Sequence, residues 1–458
     1  MGHHKIRRGL DLPISGVPRQ ESEPAPVRHV ALVADDFPVL KARMSVKEGD
    51  LVKRGQVLFK DRGSEGVLHT SPGAGRVVAV NRGERRVLQS IVIELSDGEL
   101  SGNPGFDEFE TFESYRGDDP SSLPAEAIEA LLVESGMWTS LRARPFGKSP
   151  ELGSRPAAIF VTATDSDPLS ADPDVVLADQ KSDFDRGLKA LCRMTEGPTY
   201  VCVGKDSSIG DGLEAPVSVE VFSGPHPSGT AGVYIHTLAP VSRARTVWQI
   251  GYQDVASIGR LFETGRLDVR RTVALGGPPV TRPRLLETRV GADIGEIADR
   301  EGLEGVLRWI SGSVFSGKAC VEEPFRYLGR FENQISVIAE GGTREFFGMM
   351  APGFDKFSIL PAFASALTGG KSAEFTTATH GGHRAMVPIG MYEKVFPFDM
   401  EPVFLLRSIA VDDVEQAEEM GLLELLEEDV ALCTFVCPAK ENYGPLLRKN
   451  LEIIQKEG

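Results

Sequence analysis

The sequence predicts an α/β multidomain protein: a barrel-sandwich (lipoyl/biotinyl-like) N-terminal domain, a Rossmann-like α/β domain, a β-grasp domain and a helical C-terminal domain. Three observations predict it. Residues 46–59 alternate polar and apolar between turn signals at Gly49-Asp50 and Gly55-Gln56, as half-buried strands do. Residues 157–163 form a continuous apolar run, then Phe184, Leu188 and Leu191 fall at helical spacing before a second run at 199–203. Strand, helix, strand in that order is the signature of a parallel sheet buried on both faces. Residues 271–275, Gly276-Gly277 and residues 284–290 read as a hairpin, and Asp293 with Glu296 has capping-box spacing for a helix behind it.

Residues 1–100 are assigned to the barrel. Glycine accepts positive φ without a steric penalty, which suits the turns at Gly49 and Gly55. In a swinging-arm carrier the hairpin tip presents a lysine for the cofactor. Here the tip reads Arg62-Gly-Ser-Glu-Gly66, and Lys60 falls on the strand beside it. Glu65 cannot form the amide, so a structural or docking barrel is expected rather than a carrier. Residues 101–150 read as a linker with one helix over 125–134, begun by Pro124. Residues 151–254 form the Rossmann-like domain, with a third strand at 217–222. Residues 255–340 form the β-grasp domain. Residues 341–458 are mixed at first and then helical, and Tyr443, Leu447, Leu451 and Ile454 share one face of the last helix.

The chain has 458 residues and a formal net charge of −16, which argues against a nucleic-acid partner. Part of that charge lies between Asp412 and Asp429, expected as a solvated helix face. No apolar run approaches the ~20 residues that span a bilayer, and no signal peptide is expected. Five scattered cysteines indicate a reducing compartment rather than a disulfide framework.

Cofactor motifs are incomplete. The turn after the first buried strand is Thr164-Asp-Ser-Asp-Pro168, whose carboxylates repel a pyrophosphate where a dinucleotide site places glycines. Gly224-Pro-His-Pro-Ser-Gly-Thr-Ala-Gly232 has phosphate-loop glycine spacing, but Thr230 stands where lysine is required. Cys433-Thr-Phe-Val-Cys437-Pro438 resembles the tail of an iron–sulfur motif that needs four thiolates. His380-Gly-Gly-His383 lacks a third ligand nearby, so no metal site is assigned. No residue is assigned as catalytic. Gly136-Met-Trp-Thr-Ser-Leu-Arg-Ala-Arg-Pro-Phe146 concentrates aromatics and guanidiniums. Arg142 and Arg144 offer donors to carbonyl oxygens, while Trp138 and Phe146 offer faces to a flat ring. An equally good reading is that these arginines neutralise nearby acidic residues.

Several segments in order resemble the A-subunit family of the bacterial sodium-translocating NADH:quinone oxidoreductase. They include Lys5-Ile-Arg-Arg-Gly-Leu-Asp-Leu-Pro-Ile-Ser-Gly16, Asn81-Arg-Gly-Glu-Arg-Arg-Val-Leu-Gln-Ser90, Trp138-Thr-Ser-Leu-Arg-Ala-Arg-Pro-Phe146, Phe222-Ser-Gly-Pro-His-Pro227 and Leu432-Cys-Thr-Phe-Val-Cys-Pro438. The resemblance implies a β-grasp domain of the SLBB-like kind. It implies a peripheral subunit on the cytoplasmic face of the inner membrane, without a transmembrane segment, among five other subunits. The membrane-embedded quinone-side subunit is the chief expected partner. NADH, flavins and Fe–S clusters are then expected on the other subunits, with no redox cofactor on this chain. Ubiquinone is the expected ligand, with Phe37, Trp138, Arg142, Arg144 and Phe146 as candidate contacts. The alternative is a scaffold subunit, with quinone held only by membrane subunits.

Overall fold

A computed structural model of the chain describes residues 2–457 except 321, 342–351, 355, 361 and 369–371. The early strands form two small antiparallel sheets. One joins His29–Val33, Leu88–Leu95, Gly75–Arg82 and Leu51–Val52; the other joins Ala42–Met44, Val57–Asp61 and Leu68–Thr70. They close over Val30, Leu58, Phe59, Val77, Ile91 and Ile93, all fully buried. Gly49 and Gly55 have φ of 90° and 88°, as their turns require. Lys60 is exposed on its strand, beside the turn that ends at Gly66.

The second unit is a six-stranded sheet in the order Gly2–Lys5, Ser218–Ser223, Thr199–Gly204, Ile159–Ala163, Val247–Gly251, Arg142–Arg144. The first five are parallel and the last is antiparallel. Side chains of Ile159–Ala163 alternate between two cores. Ile159 and Val161 pack with helices Lys181–Cys192 and Tyr252–Thr264, whereas Phe160 packs with helix Ala231–Leu238 and the C-terminal helices. That is why the run is apolar throughout. Where the two helices of the first face meet, a methyl on Gly187 would strike the carbonyl of Val255, and one on Gly259 that of Asp183.

Three strands of this sheet carry little local signal. Gly2–Lys5 falls in the range read as barrel, and Arg142–Arg144 in the range read as linker. Each has only three or four residues, most of them polar or charged, so their pairing depends on a partner far along the chain. Val247–Gly251 runs directly into helix Tyr252–Thr264, with no turn residues to separate the two periodicities.

The third unit is a mixed sheet ordered Lys318–Ala319, Leu307–Ser311, Gln334–Ala339, Arg270–Gly276, Arg284–Arg289, Arg19–Pro24. Its central pair, Arg270–Gly276 with Gln334–Ala339, is parallel. Helix Ile294–Glu301 lays Ile294 and Ile297 on Val273, Leu275, Ile335 and Val337 in a core shared with the barrel. Asp293 caps this helix through the Glu296 N–H at 3.2 Å. Glu296 does not reciprocate as a capping box would. Its carboxylate accepts the N–H groups of Arg28 and His29 and ties the barrel to the helix instead.

The chain ends in helices Met391–Val395, Pro402–Ala410, Val414–Glu419, Glu427–Val436 and Tyr443–Glu457. Tyr443, Leu447, Leu451 and Ile454 are buried. Part of the segment expected to be mixed, after residue 341, lies outside the described residues. Among the described residues no helix is long and apolar enough to cross a membrane.

Candidate functional site

A cleft of about 1110 Å³ opens at the carboxyl ends of the parallel strands, where open α/β sheets bind their ligands. The sheet contributes Asp165, just past Ile159–Ala163, Thr230 at the start of helix Ala231–Leu238, and Tyr252 at the start of the next helix. The barrel contributes Phe37. The third unit contributes Lys318, Phe331 and Glu332, and the C-terminal helices contribute Glu428.

The five candidate residues separate into two groups. Phe37 and Arg142 line the cleft with Phe331 between them. The Arg142 guanidinium stacks 4.8 Å from the Phe331 ring centroid, and Phe37 meets that ring edge-on at 6.1 Å. Arg142 also pairs with Glu428 at 3.1 Å. On its other side Phe37 touches His69 at 4.5 Å. Burial pushes the His69 imidazole down to about 4, with Asp61 opposing and Arg330 assisting, so it is neutral.

Arg144, Trp138 and Phe146 lie behind that surface. Arg144 is fully buried. It donates to Gln249 Oε1 at 2.7 Å, to Asp429 Oδ2 and the Glu424 carbonyl at 2.6 Å each, and to Glu428 Oε1 at 3.1 Å. These bonds occupy nearly all of its fork. Trp138 donates its indole N–H to the Pro150 carbonyl at 2.9 Å and meets Trp248 edge-on at 5.4 Å. Phe146 packs against the opposite core, and its carbonyl accepts from Arg448 at 2.6 Å. Trp138 and Phe146 therefore belong to different cores and do not face each other across a ring. The acidic block is not only a solvated face. Glu428 and Asp429 turn inward to Arg142 and Arg144, while Glu427, 41% exposed, pairs with Arg448 at the surface. Burial raises the Asp429 carboxyl; Arg144 opposes this and Glu428 adds to it.

Sequence reasoning does not single out Phe331, Glu332 or Asp165 as site residues. The only local signal is an aromatic between charges, Arg330-Phe-Glu-Asn333, just before strand Gln334–Ala339. Burial, reinforced by Asp36, pushes the Glu332 carboxyl up to about 8 against the pull of Lys318. Burial and Asp167 push Asp165 to about 8 as well. The Asp165 side chain accepts the Asp167 N–H at 2.8 Å, a local turn bond, and the following helix is capped by Asp172 instead. The glycine loop at 224–232 is pinned by Gly229 N–H donating to Ser166 Oγ at 2.7 Å and by Ser228 Oγ donating to the Gly224 carbonyl at 2.8 Å.

Cys437 lies 3.1 Å from the Tyr392 hydroxyl, and Glu441 N–H donates to its sulfur at 3.4 Å. Burial works against the thiolate, but these bonds together hold the thiol below its ordinary value. Burial raises Cys433. Among the described residues the one group of three possible metal ligands in reach of each other is His29, Asp293 and Glu296. Both Asp293 oxygens there already accept from Arg326, at 2.8 and 2.6 Å. His383 is exposed and pairs with Glu441 at 2.5 Å.

Three family models match the chain in order. They are the NqrA N-terminal barrel-sandwich hybrid domain over residues 4–96, the NqrA second alpha/beta domain over 123–267 and the NQRA C-terminal domain over 272–322. The chain is 50% identical over 455 residues to the Na(+)-translocating NADH-quinone reductase A subunit of Saccharophagus degradans, covering 99% of this chain and 100% of that one. The corresponding protein of Cellvibrio japonicus is 49% identical over 99% of this chain and 100% of its own length. That of Rhodopirellula baltica is 49% identical over 99% and 98%. Among solved structures, an NAD+-reducing [NiFe]-hydrogenase aligns with a TM-score of 0.34 at 14% identity, covering 55% of this chain and 59% of that one, a likeness too loose to argue from. With half of its residues identical to those of relatives matched over essentially their whole length, this chain belongs to the A-subunit family of the Na(+)-translocating NADH-quinone reductase.

Proposed function

We propose that the chain works as a peripheral subunit of a sodium-translocating NADH:ubiquinone reductase complex, the translocase in which electrons pass from NADH to ubiquinone and sodium is exported. It sits on the cytoplasmic face of the membrane and docks on the other five subunits, chiefly the membrane-embedded quinone-side one. It carries no redox cofactor; NADH, flavins and Fe–S clusters belong to its partners. Its own contribution is to handle ubiquinone in the cleft. The observation that carries this reading is the grouping of Phe37, Phe331 and Arg142 around one wall of a cavity at the strand ends. Two aromatic rings and a guanidinium suit a flat, uncharged ring with carbonyl oxygens. Trp138, Arg144 and Phe146 act one layer behind, fixing the strand that presents Arg142.

The acidic residues Asp165 and Asp167 support the cofactor-free part, because they stand where a flavin or nicotinamide phosphate would need amide donors. The test is the visible spectrum of the purified chain, where stoichiometric flavin or an iron–sulfur band overturns it. For quinone, Arg142→Ala is expected to weaken binding of a short-chain ubiquinone about tenfold in a calorimetric titration. Unchanged affinity removes Arg142 from the site. The Arg142–Glu428 ion pair favours the second reading, a scaffold whose arginines only neutralise acids, and that reading expects no quinone binding in the same titration.

A further inference from the structure

Glu332 stands apart from the other carboxylates of the cleft. It lies partly buried in the wall, against Gly312 and Gly329, where a methyl on Gly312 would collide with its carboxyl oxygen. Its carboxyl group makes no hydrogen bond to any of the described residues, whereas its neighbours are all engaged. Lys318 donates to the Asp35 carbonyl at 2.8 Å and pairs with Asp36 at 3.3 Å. Asp36 also accepts the Arg330 N–H at 2.8 Å. Arg142 is held by Glu428, and Asp167 accepts from Ser313 Oγ at 2.5 Å. The charged groups acting on Glu332 are thus Asp36, Lys318, Asp167 and Arg142, and both cations already serve other anions.

A carboxyl in that position keeps its proton at neutral pH, because ionising it would add a further buried negative charge beside Asp36 and Asp167. A protonated carboxyl is a donor, which a carboxylate is not. Its neighbour in sequence, Phe331, is the ring on which Arg142 and Phe37 converge.

We propose that Glu332 selects what the cleft holds: as a neutral acid it donates its O–H to a carbonyl oxygen of an uncharged flat ring resting beside Phe331. This rests on quinone entering the cleft, and it specifies the chemistry of that ligand. An uncharged quinone with an accepting oxygen fits beside Glu332, where an anionic group would meet Asp36 and Asp167. The affinity for quinone then depends on a proton. It holds steady below about pH 8 and falls by about tenfold per pH unit above it, as the donor is lost and an anion appears.

The test is a calorimetric titration of the full chain with a short-chain ubiquinone between about pH 6 and pH 10. Wild type, Glu332→Gln and Glu332→Ala are compared, with Phe331→Ala and Arg142→Ala reporting on the cleft itself. Wild type should weaken above about pH 8. Glu332→Gln, which keeps an N–H donor, should lose most of this dependence, and Asp165→Asn measures the remainder that comes from the other cleft carboxyl raised to about 8. Glu332→Ala should be weak at every pH, by about tenfold relative to wild type at pH 6. An infrared difference spectrum on adding quinone should show a shifted carbonyl band of a protonated acid in wild type that Glu332→Gln lacks; its absence from wild type overturns the proposal. If the Glu332 variants follow the wild-type pH curve while Phe331→Ala weakens binding, the Glu332 proposal falls and the cleft reading stands. If quinone does not bind, or binds equally to Phe331→Ala and Arg142→Ala, both fall.

Discussion

Arg144 makes its charge contacts 285 residues further along the chain, where Asp429 accepts from it. The sequence shows an arginine in an aromatic, proline-stiffened stretch, a composition that also suits a binding site. Burial decides between the roles. A guanidinium wholly inside the protein and bonded to Gln249, Asp429, Glu428 and a backbone carbonyl holds structure together. Arg144→Met is therefore expected to cost about 3–5 kcal/mol, since it leaves the buried Asp429 carboxyl without its cation beside Glu428, which keeps Arg142; a urea unfolding curve measures it. Glu332 has the opposite electrostatic character. Its carboxyl moves from an ordinary 4.5 to about 8 in the native state, so the folded chain keeps a proton that the unfolded chain has released. The stability contributed is complete below 4.5 and is lost as pH rises through about 8. Glu332→Gln removes this titration. Wild type should lose more stability than the variant between about pH 6 and pH 9, by on the order of a few kcal/mol in urea unfolding; equal losses would show that Glu332 ionises normally.

At the scale of elements, helices Lys181–Cys192 and Tyr252–Thr264 approach closely because each offers a glycine to the other's backbone. The apolar spacing of the first, at Phe184, Leu188 and Leu191, is legible from sequence; the second crosses the boundary read at residue 254 and follows its strand with no turn between them, so it is not. Their contact is not legible either, since Gly187 and Gly259 look like ordinary weak points of a helix until the partner is in place. Gly259→Ala is expected to destabilise by about 1–3 kcal/mol or more because its methyl meets the Asp183 carbonyl. An isolated helix would gain stability from the same change, so the sign of a thermal melting shift separates the two. Glu296 makes the same point for polar groups. Its spacing from Asp293 marks a helix start, and the helix is there. The carboxylate binds Arg28 and His29 of the barrel instead, a choice made by which N–H groups lie nearest in space.

Across the whole molecule the chain threads its units together before forming them. Gly2–Lys5 becomes an edge of the parallel sheet and Arg19–Pro24 an edge of the mixed sheet, ahead of the barrel. Glu99 then joins two units: its carboxylate accepts from Arg54 of the barrel and from Arg289 of the mixed sheet, the latter at 2.8 Å. Burial raises this carboxyl, yet the hydrogen bond from Arg54 and the charges of Arg289 and Arg54 outweigh it and hold it at about 2. A depressed carboxylate contributes stability that is present above its ordinary value of 4.5 and lost as pH falls through about 2. Glu99→Gln is expected to cost about 3–5 kcal/mol near pH 7, since it leaves two guanidiniums buried together. The difference from wild type should shrink towards pH 2 in an acid series of urea curves.

The class of the units and their order along the chain are legible from local pattern, because strands and helices with strong periodicity, such as residues 157–163, 184–191 and 443–454, carry their own signal. The turn chemistry at Gly49, Gly55 and Gly276-Gly277 belongs with them. Tertiary structure alone decided which strands close each sheet, which arginine faces the cleft and which is sealed behind it, and that Glu332 would stand without a partner among the described residues. Those outcomes depend on distances between residues hundreds of positions apart, and burial, charge pairing and protonation follow from such distances rather than from local pattern.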